Sequence, residues 1–209
     1  TGANVEWMRG NRKPVVNLPW GDTPGMGDDL DAHEFINELN ALGLGEFRLP
    51  SEAEWEYFAR GPQTNPYRNA PYFFGEAYGI LPVDSSSFKL DQYAWWGRSD
   101  NIFSGLPETA QLLPNPYGLY DIYGNVYEWC EDDWKNNYND VPDDGSPYIN
   151  HTAEYPYKKI LRGGWRYYTD AFRFTSYYRE SHEIYFSHGS TGIRLVMKVP
   201  ADAQPPSMP

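Results

Sequence analysis

Apolar residues recur at intervals of three and four along "DAHEFINELNAL", residues 31–42, so that Ala32, Phe35, Ile36, Leu39 and Leu42 would share one face of an α-helix. Gly43 follows, where a left-handed residue commonly ends such a helix. A second helix is predicted from "PSEAEWEYFARG": Ser51 and Glu54 have the spacing of a capping box, and Gly61 supplies the stop. Ala53, Trp55 and Phe58 do not fit one narrow stripe, so this helix is expected to be contacted on more than one side.

After Gly61 the periodicity gives way to Gly, Pro, Asn, Asp and Ser interleaved with aromatic residues, a pattern of loops and short strands. The clearest strands are "YKKILRGG" and "TGIRLVMKV", each apolar or alternating and bordered by glycine. Long ordered loops need anchors, and buried Trp or Tyr, fixed polar turns or bound metal provide them. No internal repeat is visible, and no linker divides residues 1–198, which are read as one domain. Residues 199–209 are read as a Pro-rich tail, expected to be disordered.

At 209 residues and 40% hydrophobic content the chain is long enough to bury one sizeable core. Its net charge of -12, from 17 basic and 29 acidic residues, argues against nucleic acid as a partner and suits solubility and divalent cations. Aromatic residues make up 17% of the chain, with 18 Tyr and 8 Trp, which is high for a purely structural core. Cys130 stands alone, which excludes an internal disulfide, a thiolate pair or a cysteine-rich zinc site; it is expected to be a small buried residue. No stretch approaches the roughly 20 apolar residues of a membrane span, and no charged-then-apolar leader pattern begins the chain. Thr1 in place of a start methionine suggests a processed or partial chain.

Two segments carry candidate chemistry. In "PNPYGLYDIYGNVYEWCEDDW", residues 114–134, Gly124-Asn125 predicts a tight turn, and Asn125 and Glu128 place an amide oxygen and a carboxylate near exposed main-chain carbonyls. Hard cations such as calcium bind oxygens so arranged. The alternative is that Asn125 caps its own turn and Glu128 pairs with an arginine. Glu131, Asp132 and Asp133 read as a solvated acidic face.

In "DAFRFTSYYRESHEIYFSHG", residues 170–189, Arg173 and Arg179 sit among aromatic rings. His182, Glu183 and His188 have spacing compatible with a transition-metal site, and equally with polar loop residues, whereas His33 and His151 have no paired ligand spacing. Asn150 heads an "NHT" glycosylation pattern, which three residues also form by chance. Ser176 has neither a local base nor nucleophile-elbow glycines, so serine hydrolysis is not expected.

Five collinear segments, "KPVVNLPW", "FRLPSEAEWEYFARG", "PNPYGLYDIYGNVYEW", "ILRGGW" and "TGIRLV", resemble the formylglycine-generating-enzyme, or sulfatase-modifying factor, domain family. The resemblance implies an α+β fold of the C-type-lectin-like kind, with two helices, a small twisted antiparallel sheet and much irregular loop. It also implies a structural calcium ion at Asn125, the main-chain oxygen of Val126, and Glu128. Enzymes of this family oxidise a client sulfatase cysteine with copper held by two cysteines in a C-x-x-x-x-C-x-x-R motif. Aligned on that motif, "AFRFTSYYRES" places Ala171 and Ser176 at the cysteine positions and Arg173 and Arg179 on arginines. Soft Cu(I) requires thiolates, so no copper is expected here.

The function expected from these residues is a non-catalytic binding or assembly subunit, with a protein partner or larger complex and possibly a glycan as its target. The surface expected to bind comprises Trp165, Arg166, Tyr167, Tyr168, Arg173, Ser176, Tyr177, Tyr178, Arg179 and Tyr185. The expected location is periplasmic, extracellular or peripheral on the outer side of a membrane. Two alternatives stand beside it: an oxidoreductase using a different metal centre, and a retroelement-diversified variable binding protein. Family domains carry a further strand before the segment that resembles the start of this chain, so a preceding segment or another chain is expected to supply it.

Overall fold

The computed structural model describes residues 12–21, 30–75, 89–97, 105–150 and 157–199. Both helices begin with a capping box, the second at the predicted Ser51 and the first at Asp31, which the sequence reading did not single out. Asp31 accepts the amide of Glu34 at 2.8 Å, the Glu34 carboxylate accepts the Asp31 amide, and helix α1 runs Ala32–Ala41. Ala32 and Ile36 are buried, but Leu42 lies beyond the helix and is exposed, and the chain turns at Gly43 with φ of 69°. Ser51 and Glu54 form the same reciprocal box at helix α2, Glu52–Arg60, which Gly61 ends with φ of 76°.

The buried face of α2 differs from the expected one. Ala53 is exposed, and the buried positions are Glu52, Trp55 and Ala59, a single stripe at helical spacing that includes a carboxylate. That carboxylate is held by arginine: Glu52 accepts from Arg162 at 2.7 Å and from Arg179 at 2.6 and 2.8 Å, while Glu56 accepts from Arg162 at 2.8 Å. Arg162 is fully buried.

Eight short strands follow or flank the helices: β1 Glu46–Arg48, β2 Ala94–Trp95, β3 Tyr123–Gly124, β4 Tyr127–Asp133, β5 Lys158–Arg162, β6 Glu180–Glu183, β7 Thr191–Gly192 and β8 Val196–Lys198. The main sheet has the order β6-β5-β4-β7. β5 pairs antiparallel with β4 and β6, but β4 and β7 are parallel, so the sheet is mixed rather than antiparallel throughout. "TGIRLVMKV" supplies two strands, not one: β7 joins β4, the chain bends through Ile193–Leu195, and β8 pairs with β1.

Two buried clusters flank this sheet. One is mainly aromatic, built from Trp55, Tyr72, Phe73, Phe74, Trp96, Tyr123 and Phe174 with Leu90, Ile122, Ile160 and Cys130; the other gathers Leu18, Ile36, Leu49, Tyr127, Trp129 and Leu161. Polar tips of buried aromatics anchor the loops. Trp129 Nε1 donates to the Leu18 carbonyl at 3.0 Å, Tyr123 Oη to that of Ala59 at 3.0 Å, and Tyr72 Oη to that of Ala171. Cys130 is wholly buried, and burial, reinforced by Glu52, pushes its thiol well above its ordinary pKa.

The acidic run does not form the expected solvated face, because Asp132 and Asp133 are both buried. Asp132 accepts the amides of Glu52 at 2.6 Å and Tyr148 at 2.9 Å, tying β4 to the start of α2 and to the 145–150 loop. Asp133 pairs with Lys159 at 2.7 Å. A buried charge must be neutralised or richly hydrogen-bonded, and these residues are.

Candidate functional site

The segment from Trp165 to His188 crosses one side of the main sheet, and its polar residues divide into two sets. The inward set is consumed by the chain. Arg179 makes its bidentate bond to Glu52, donates to the Lys135 carbonyl at 2.8 Å, and lies over the Trp134 and Tyr138 rings at 4.9 and 4.4 Å. Ser176 is fully buried, its hydroxyl donating to the Pro71 carbonyl at 3.0 Å. Arg166 is buried, donates to the Gly105 carbonyl and to Tyr167 Oη at 2.5 Å, and lies over the Tyr167 ring. These three expected binding residues thus face inward, because each has partners that loop residue types alone did not reveal.

The outward set surrounds Arg173. Its side chain is 35% exposed; Nη1 donates to Tyr178 Oη at 2.7 Å, and the Glu180 carboxylate lies at 3.5 Å. The guanidinium sits over the Tyr168 ring at 4.4 Å and the Tyr178 ring at 5.5 Å. Tyr178 Oη donates on to Glu180 at 3.0 Å, and burial together with that carboxylate pushes the phenol up to about 12. Trp165 packs edge-on against Tyr167, Tyr168 and His188. Trp165 Nε1 is buried without a hydrogen-bond partner among the described residues, whereas Tyr127 Oη lies beside Arg173 and Tyr178 and interacts with both. Phe172, Tyr177 and Tyr185 are exposed around it.

His182 and His188 do not converge as a metal pair. His182 stacks on Phe186 at 3.8 Å, and His188 uses Nδ1 with Ser190. Among the described residues no group of three His, Cys, Asp or Glu side chains is arranged to hold a metal.

The Gly124-Asn125 turn forms as predicted, both residues having positive φ, of 80° and 62°. Glycine is required at the first position: a Cβ there would lie 2.2 Å from the Trp95 carbonyl oxygen. The turn borders a cavity of about 360 Å³ that Asp121, Asn125, Val126, Glu128 and Arg194 help to line. Glu128 is held by Arg194 at 2.8 and 2.6 Å and by Trp55 Nε1 at 2.7 Å, the arginine pairing the sequence left open. Asn125 does not cap its own turn. Its amide oxygen and nitrogen are both buried and unpartnered, and so is Asp121 Oδ1.

These atoms suit a hard cation. Asn125 Oδ1 and Asp121 Oδ1 lack donors among the described residues, Glu128 Oε1 accepts from Arg194 and keeps lone-pair capacity, and Val126 also lines the cavity. Burial, with Glu128 nearby, raises the Asp121 carboxyl pKa, which a bound cation would reverse. Asp121 escaped the sequence reading because its neighbours in "GLYDIYGN" suggested only a turn.

An α+β fold with two capped helices, a small mixed sheet and long loops pinned by buried aromatics defines the class of protein. The sulfatase-modifying factor enzyme 1-like domain matches residues 2–199, and the chain belongs to that family. It is similar to the mouse formylglycine-generating enzyme, with 37% identity over 95 residues that cover 42% of this chain and 22% of that protein. It is also similar to the mouse protein named inactive C-alpha-formylglycine-generating enzyme 2, with 29% identity over 133 residues, 60% of this chain and 40% of that one. Among solved structures, PvdO from Pseudomonas aeruginosa superposes with a TM-score of 0.70 at 23% identity, covering 90% of this chain and 63% of that one. The chain therefore spans less than half the length of these two curated relatives.

Proposed function

We propose that this chain is a non-catalytic member of its family, a binding or assembly subunit that recognises a protein or glycan through the surface around Arg173. One observation carries the reading: Ala171 and Ser176 stand where the family motif has its two copper-binding cysteines. A methyl group and a buried hydroxyl already bonded to a carbonyl offer Cu(I) no soft ligand. The relative named inactive supports the same reading, since the family includes a member so described.

Arg173 and its neighbours Tyr168 and Tyr178, with the exposed Tyr177 on Phe172 beside them, supply what a recognition surface uses: a partly open cation and large amphipathic rings. A calcium ion at Asn125, Asp121, Glu128 and the Val126 carbonyl would fix the turn that leads into β4, and so hold the adjoining loops. An acidic chain with one buried thiol is at home outside the cytoplasm, where free calcium is abundant.

Cu(I) titration tests the reading. The chain is expected to take up no stoichiometric Cu(I), and the double variant Ala171→Cys/Ser176→Cys is expected to gain it. Stoichiometric uptake by the unaltered chain would contradict the reading. Calcium is tested separately by thermal unfolding: a rise in Tm with added calcium, abolished in Asp121→Asn, is expected, and no rise would remove the ion from the account.

A further inference from the structure

A cavity of about 650 Å³ lies against α2, away from Arg173 and from the Gly124-Asn125 turn. Its size is within the range of small-molecule sites. Each carboxylate on its wall already has donors of the chain bonded to both oxygens. Glu52 accepts three arginine bonds, Glu56 accepts from Arg60 at 2.8 Å and from Arg162 at 2.8 Å, and Asp132 accepts two main-chain amides.

The cations are not saturated. Arg68 donates from Nη1 to the Gly61 carbonyl and lies over the Tyr57 ring at 4.7 Å, and it has no carboxylate partner among the described residues. Its Nε and Nη2, like Arg60 Nη2, have no acceptor there. Arg60 and Arg68 line the cavity with Glu52, Glu56 and Asp132, and Arg162 and Arg179 are bonded to Glu52 and Glu56 from behind the wall; counted with these partners, four guanidiniums face three carboxylates, one positive charge in excess. Free groups on this wall are therefore donors, and the charge they lack is one anion.

The opposite part of the wall offers a flat surface. Tyr138 is 54% exposed and lines the cavity, with Arg179 packed on its ring at 4.4 Å. An aromatic ring backed by a cation is held in place and can cover the apolar face of a ring-shaped ligand.

We propose that this cavity binds a monoanionic organic carboxylate, the acid group on Arg68 and an apolar ring face on Tyr138. A doubly charged phosphate would overshoot the single excess charge beside three carboxylates. A sugar acid and an aromatic acid share the required chemistry, and the test separates them.

Isothermal titration calorimetry of the 209-residue chain with glucuronate and with phenylacetate, each beside its neutral counterpart glucose or phenylacetamide, tests the proposal. At least one acid is expected to bind tighter than about 1 mM, with its neutral counterpart at least about tenfold weaker. Arg68→Ala is expected to weaken that acid about tenfold or more, Tyr138→Ala severalfold, and Arg173→Ala not at all. Binding of only one acid identifies the source. The proposal is overturned if neither acid binds, if the neutral counterpart binds as well, or if binding survives both Arg68→Ala and Tyr138→Ala.

Discussion

Arg173 and Arg179 lie in one loop segment between the same two strands, yet they belong to different parts of the molecule. The Arg179 side chain is 11% exposed and chelates a carboxylate 127 residues away; the Arg173 side chain is 35% exposed and meets Tyr168, Tyr178 and Glu180 of its own segment and Tyr127 of β4. The difference lies in what each guanidinium finds opposite it. Glu52 projects from the buried stripe of α2 and must be neutralised, so Arg162 and Arg179 are drawn inward to it. Nothing comparable faces Arg173, whose carboxylate neighbour Glu180 is shared with Tyr178 and partly open to solvent. An arginine in an aromatic loop is thus a binding residue only when the fold leaves it without an internal anion.

The sharpest way to break this contrast is at its centre. Arg162→Met leaves the buried Glu52 and the half-buried Glu56 with fewer partners, and is expected to cost about 3 kcal/mol or more in urea unfolding. Arg179→Met leaves Glu52 its bond to Arg162 and is expected to cost about 1–3 kcal/mol, read as a lowered denaturation midpoint.

The next effect is a pH dependence at the same helix end. Burial pushes the Asp132 carboxyl up to about 6 from an ordinary 3.8, so the folded chain holds this proton to higher pH than the unfolded chain. Its stabilising contribution is present below 3.8 and is lost as pH rises through about 6. Stability measured across that window is expected to fall by up to about 1.4 kcal/mol per pH unit on this account, and Asp132→Asn is expected to flatten the slope.

Arg173→Ala, at the other pole, is expected to change stability by less than about 1 kcal/mol. On a glycan or peptide array it should nevertheless remove the binding that the unaltered chain displays. An Arg173 variant as unstable as the Arg179 one would erase the distinction between the two residues.

Much of the fold was legible because it is written in local chemistry. Ser51 starts a helix through a partner three residues away, and Gly124-Asn125 turns because of its own backbone preferences. What was not legible depends on distant partners. "TGIRLVMKV" alternates like one strand, but Arg194 in its middle reaches Glu128, and the halves join different sheets. Glu52 looks like a surface residue of a helix until Arg162, 110 positions on, is placed against it. The candidate metal site had the same limit: Asn125, Val126 and Glu128 could be named from the turn, whereas the bonds from Arg194 and Trp55 to Glu128 and the unpartnered Asp121 oxygen come from the fold.

The proposed non-catalytic reading rests on the alignment that sets Ala171 and Ser176 against the paired cysteines of the family motif. Incubating the purified chain, with copper supplied in the buffer, with a cysteine-containing sulfatase peptide and following the peptide by mass spectrometry tests it directly. An unchanged thiol peptide is the predicted result; conversion of its cysteine to the aldehyde would contradict it.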